Sequence, residues 1–132
     1  MNYSENTKIT KLYQGAADAV DCDILDLKHF HRATFVVIHT GAADTDLVLT
    51  VTESDDVAGS TTATIGSSIP IYADTDMGAS SDTLVRQTDA TAYTIDTGVA
   101  PNQMVTFELD ASVLSAGYPC AYLADSGGNA SN

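Results

Sequence analysis

Gln103-Met104-Val105-Thr106-Phe107-Glu108-Leu109-Asp110 is the stretch that decides the fold class. Val105, Phe107 and Leu109 alternate with Thr106, Glu108 and Asp110, the two-residue period of a strand with one face in a core and one in water. No helical phase gives that separation. Asp110-Ala-Ser-Val-Leu then reads as an N-cap opening one short helical turn over 110–116, with Val113 and Leu114 tucked under the sheet and Gly117 ending it. Tyr118 to Ala124 is the expected closing strand.

Working back toward the N-terminus, Phe30 to Thr40 is the most apolar strand candidate, and its centre Phe35-Val36-Val37-Ile38 is apolar on both faces. That pattern predicts a place in the middle of a sheet or between layers. Asp46 to Glu53 alternates Leu47, Leu49 and Val51 against Val48, Thr50 and Thr52. The short Gly41–Thr45 turn predicts that these two strands form an antiparallel hairpin. Val20, Cys22 and Ile24 alternate with Asp21 and Asp23 as an earlier strand, whose register shifts near Leu25, at a bulge or at the strand's end. Between the hairpin and the last strands lie a loop at 54–61, strand candidates at 62–65 and 69–72, a Gly/Ser/Asp-rich loop at 74–82, and strands at 83–87 and 92–96. Pro70 assigns the 69–72 candidate to a sheet edge. Six to nine short strands with one helical turn predict an all-β chain: an antiparallel β-sandwich or barrel, jelly-roll-like. Residues 1–15 read as an extended N-terminal arm, and 16–132 as a single β-sandwich domain, since 132 residues suit one domain.

The chain carries 18 acids against five bases, a formal charge of -13. Such a surface repels phosphate backbones, which argues against nucleic acid as a partner. Aspartates outnumber glutamates and fall beside Gly, Ser and Thr, where they form turns. Four of the five bases, Lys8, Lys11, Lys28 and Arg32, lie in or just after the arm, and Arg86 stands apart. Met1–Tyr13 lacks the apolar core of a signal peptide, and no apolar run approaches the ~20 residues of a spanning helix. The expectation is a soluble protein made in the cytoplasm, with no membrane partner. Cys22 and Cys120 read as two free thiols or as a single bridge; a disulfide scaffold of this size would carry more cysteines.

Candidate chemistry is sparse. His29 and His31 sit at i, i+2 with His39 further along, but no third and fourth metal ligand follows at a usable spacing. The pairs Asp21/Asp23, Asp44/Asp46, Asp55/Asp56 and Asp74/Asp76 do not fit a calcium loop. Ser67, Ser80 and Ser126 lack a nucleophile elbow, and Glu53 and Glu108 alternate outward beside threonines, unlike a glycosidase pair. Tyr72, Tyr93, Tyr118 and Tyr122 offer aromatic surface, without a Trp to stack on a sugar. The reading is of a non-enzyme, with no catalytic residue, no cofactor and no metal.

Two segments carry a resemblance. His31-Arg-Ala-Thr-Phe-Val-Val-Ile38, Gly41, Leu47-Val-Leu-Thr-Val-Thr-Glu53 and Ala58-Gly-Ser60 form the first; Val105-Thr-Phe-Glu-Leu-Asp-Ala-Ser-Val-Leu114, Gly117-Tyr118 and Tyr122-Leu123 form the second. Together they resemble small tailed-bacteriophage proteins, similar to head decoration or cement proteins. The resemblance implies a virion structural protein on the outer surface of the head, stabilising it, with the major capsid protein as partner. Self-association as a homotrimer or similar ring fits an arm whose Tyr3, Lys8, Ile9, Lys11, Leu12 and Tyr13, with Lys28 and Arg32, make the capsid or subunit contacts. A glycan-binding or adhesive module, or a tail-associated structural subunit, is the alternative.

Overall fold

The alternation at 103–110 is realised in a nine-residue strand whose inward residues reach zero to one per cent exposure at Val105, Phe107 and Leu109. The computed structural model describes residues 22–40, 46–80 and 82–126. Nine strands run through them: β1 (Leu25–Asp26), β2 (Arg32–Thr40), β3 (Leu47–Ser54), β4 (Thr62–Thr64), β5 (Ile71–Asp74), β6 (Val85–Arg86), β7 (Ala92–Ile95), β8 (Asn102–Asp110) and β9 (Cys120–Ser126). One 3-10 turn, Ala111–Val113, is capped by Asp110, whose carboxylate accepts the Ser112 N–H at 2.9 Å.

The strands form two antiparallel sheets. Sheet I has the order β1-β9-β3-β4, with β7 also paired to β3; sheet II has the order β2-β8-β5-β6. Their inner faces meet in one core that draws Leu47, Leu49, Val51, Ile95 and Leu123 from sheet I and Phe35, Ile71, Ala73, Val105, Phe107 and Leu109 from sheet II. Val37 packs against it, half-buried. The fold is an all-β sandwich, and no ladder joins the sheets into a barrel among the described residues.

The pairing of β2 and β3 differs from the expected hairpin. β2 pairs with β8, from Arg32↔Asp110 to Thr40↔Asn102, whereas β3 pairs with β9, β7 and β4. The chain therefore passes from one sheet to the other between them, and a short turn-like link does not require its flanking strands to be neighbours. Among the described strands β2 is also at the edge of its sheet rather than in its centre. Phe35 is buried, but Val36 and Ile38 face outward at 56% and 58% exposure.

Three smaller corrections have local causes. Pro70 precedes β5, so the missing N–H costs no ladder bond; its carbonyl accepts the Glu108 N–H at 3.0 Å, and β5 lies inside the sheet. The first strand among the described residues is Leu25–Asp26, and Cys22 to Ile24 lie before it. At Cys22 the backbone N–H still donates to the Leu123 carbonyl while the Cys22 sulfur accepts the Leu123 N–H, so a side chain takes one ladder place. β9 starts at Cys120, two residues late: the Pro119 carbonyl still accepts the Leu27 N–H in register, but proline has no N–H to return the ladder bond. Residues 19–21, 41–45 and the arm at 1–15 lie outside the described residues.

Candidate interaction surface

The outward face of sheet II is built by register. Across β2, β8 and β5 the rows are Thr34–Glu108, then Val36–Thr106–Tyr72, then Ile38–Met104–Asp74, and Arg86 of β6 extends the middle row. Val36 and Ile38 are more than half exposed, with Met104 and Tyr72 half-buried beside them. Residues at successive even positions of β2 share one face of the pleat. The apolar residues whose pattern predicts a place in the middle of a sheet or between layers thus leave one side of β2 in water.

Of the contact residues expected from sequence, Tyr3, Lys8, Ile9, Lys11, Leu12 and Tyr13 lie outside the described residues. Lys28 and Arg32 are exposed at the start of β2. The Lys28 N–H donates to Asp26 Oδ1 at 2.9 Å, which sets the turn before the strand. Arg32 Nε lies 3.9 Å from Asp110 Oδ2, a loose solvent-facing pair that contributes little. Both cationic side chains remain available at one end of the face.

At that same end, Leu27, Lys28, Asp55, Leu114, Ser115 and Tyr118 border a depression of ≈ 430 Å³. Glu53 lies close beneath. It keeps the inward phase of Leu47, Leu49 and Val51 and is 3% exposed, not outward as its neighbours imply, and its Oε2 accepts the Ser115 N–H at 2.8 Å. Glu108 is exposed on the other sheet, so the two glutamates are not brought together. Nor are the tyrosines: Tyr72 is on the outward face of sheet II, Tyr93 packs against the core, Tyr118 borders the depression and Tyr122 is buried in sheet I.

The aspartates serve the loops they stand in. Asp56 accepts the N–H groups of Ala58 and Ser60 at 2.9 and 3.1 Å and the Ser60 hydroxyl at 2.8 Å, while Asp55 accepts the Thr61 N–H at 2.9 Å. The Ser60 N–H, then its hydroxyl, hold the Asp56 carboxyl below its ordinary value. Gly59 completes that loop at φ +72°, in the left-handed region. Asp74, Asp76 and Asp96 each accept an N–H two residues on, and Asp46 accepts the Thr97 N–H at 3.2 Å. Among the described residues no group of three or more His, Cys, Asp or Glu is placed to hold a metal ion. His29 and His31 precede β2 in exposed turn and bend positions, and His39 lies near the strand's other end. Cys22 and Cys120 are not joined by a disulfide, and the second is buried. No described helix is long and apolar enough to cross a membrane.

No protein-family model, curated protein or solved structure matches the chain. The outward face of sheet II is therefore read from its own chemistry. It is broad, shaped by three ladders, apolar along β2 and flanked by Lys28 and Arg32, in a chain of net charge -13.

Proposed function

We propose that this chain is a structural protein of a bacteriophage head, a decoration or cement protein that binds the outer surface of the capsid through the outward face of sheet II. The observation that carries the reading is the exposure of Val36 and Ile38 on that face, flanked by half-buried Met104 and Tyr72. Neighbouring large apolar side chains left in water on one sheet face support an interaction surface there. The resemblance to head decoration proteins supports the choice of partner. Its stretches 31–38 and 105–114 include the central β2–β8 ladder that builds this face, and 47–53 and 122–123 belong to the β3–β9 ladder behind it. Lys28 and Arg32 then meet carboxylates of the major capsid protein, and the acidic remainder of the surface keeps the particle's exterior soluble.

Cryo-electron microscopy of particles assembled with this protein tests the reading. Extra density repeating on the head lattice, lost with Met104→Glu, is the expected result. Density confined to the tail, or particles that carry none of the protein, would overturn it.

A further inference from the structure

The β2 side of sheet II is the longest open strand edge among the described residues, at nine residues; the other outermost strands have two to four. Which backbone groups it offers follows from the ladder. The Ala111 N–H donates to the His31 carbonyl at 2.9 Å, so His31 and every second residue after it turn N–H and C=O toward β8. Arg32, Thr34, Val36, Ile38 and Thr40 turn theirs to the open edge.

Natural sheets guard such an edge by shortness, a bulge, a proline or an inward charge. β2 has none of these between Ala33 and Ile38, and its register against β8 is unbroken. Charge then narrows the occupant. From Leu27 to Ala43 the sequence has no Asp or Glu, although the whole chain carries 18. Two copies of so acidic a protein repel over most of their surfaces, and along β2 they approach with no carboxylate in the opposed strands.

We propose that β2 pairs antiparallel with β2 of a second copy across a two-fold axis at Val36, joining two four-stranded sheets into one continuous sheet. This register sets Val36 opposite Val36, Thr34 opposite Ile38 and Arg32 opposite Thr40, and it engages all five outward-turned residues. The central pairs are β-branched, which suits cross-strand packing, and the arginines lie at opposite ends. The contact is isologous and closes at two copies, so it differs from the trimer or ring expected from sequence. It concerns self-association in solution and stands whether or not the capsid reading does.

Sedimentation of the full chain over a range of sub-millimolar concentrations tests it, with Val36→Lys and Val36→Glu variants first shown to be folded by circular dichroism. The parent is expected to reach a dimer, and each variant alone to weaken dimerisation at least ~10-fold because like charges meet on the axis. Mixing the two variants should restore the dimer. Hydrogen exchange at the Thr34, Val36 and Ile38 amides should slow on dimerisation. A parent that stays monomeric or forms trimers, a variant that dimerises like the parent, or a mixture that fails to pair would each overturn the proposal. If neither variant folds, a parent dimer whose Thr34, Val36 and Ile38 amides exchange as fast as in the dilute monomer would overturn it equally.

Discussion

The Glu53 carboxylate accepts the Ser115 N–H at 2.8 Å across 62 residues of sequence, tying the end of β3 to the turn that leads into β9. The acceptor is almost fully buried, and removing it takes the charged partner away from a part-buried N–H. Glu53→Ala should therefore cost about 1.5–3 kcal/mol, the range for a hydrogen bond to a charged group. Glu53→Gln, which retains a carbonyl acceptor, should cost less. Urea unfolding of both variants checks the order.

Phe107 is completely buried between the sheets, whereas its neighbour Glu108 points to water. Phe107→Ala should lose about 3–5 kcal/mol, and Glu108→Ala should stay within about 0.5 kcal/mol of the parent. Similar losses at the two positions would mean that the phase of β8 is wrong.

Asp56 is held below its ordinary pKa by Ser60, and Asp110 is shifted the same way by the Ser112 hydroxyl and N–H. A carboxyl lowered by folding binds fewer protons in the native state. Its contribution is complete above the unfolded aspartate value of about 4 and is lost as pH falls through the lower folded value. Unfolding midpoints measured from neutral pH down to pH ~2 should fall on the acid side, and the fall should be shallower in Asp56→Asn.

Cys120 is buried in β9, and burial, followed by the charge of Asp26, pushes its thiol up. Labelling by a thiol reagent should be at least ~10-fold slower in the native protein than in urea, and the native rate should rise only above the ordinary thiol value of about 8.5. Equal rates would show that β9 opens readily.

The elements that were legible in the sequence are those with one buried and one wet face. β8 and β3 show that alternation, and the Asp110 cap is local chemistry, so all three are readable without knowing what lies beside them. Strand pairing is not local. The Gly41–Thr45 stretch looks like a hairpin turn, yet nothing in it distinguishes a return within one sheet from a passage to the other. The phase of Glu53 was hidden because its threonine and serine neighbours suggest a solvated strand end, while the Ser115 N–H that it satisfies lies far along the chain. Val36 and Ile38 misled for an opposite reason. Hydropathy records that a residue avoids water, and it does not say whether the fold covers it.

The register of the two central ladders bears on how the protein is made. Phe35 meets Phe107 and Val51 meets Leu123, so both sheets are closed by partners about 70 residues apart, a topology that folds slowly because loop closure precedes its reward. Neither β2 nor β3 has its principal neighbour until β8 and β9 have left the ribosome. During that interval β2 has no partner strand and β3 has only the short β4 and β7 to pair with, the kind of state in which chaperones bind and misassembly begins.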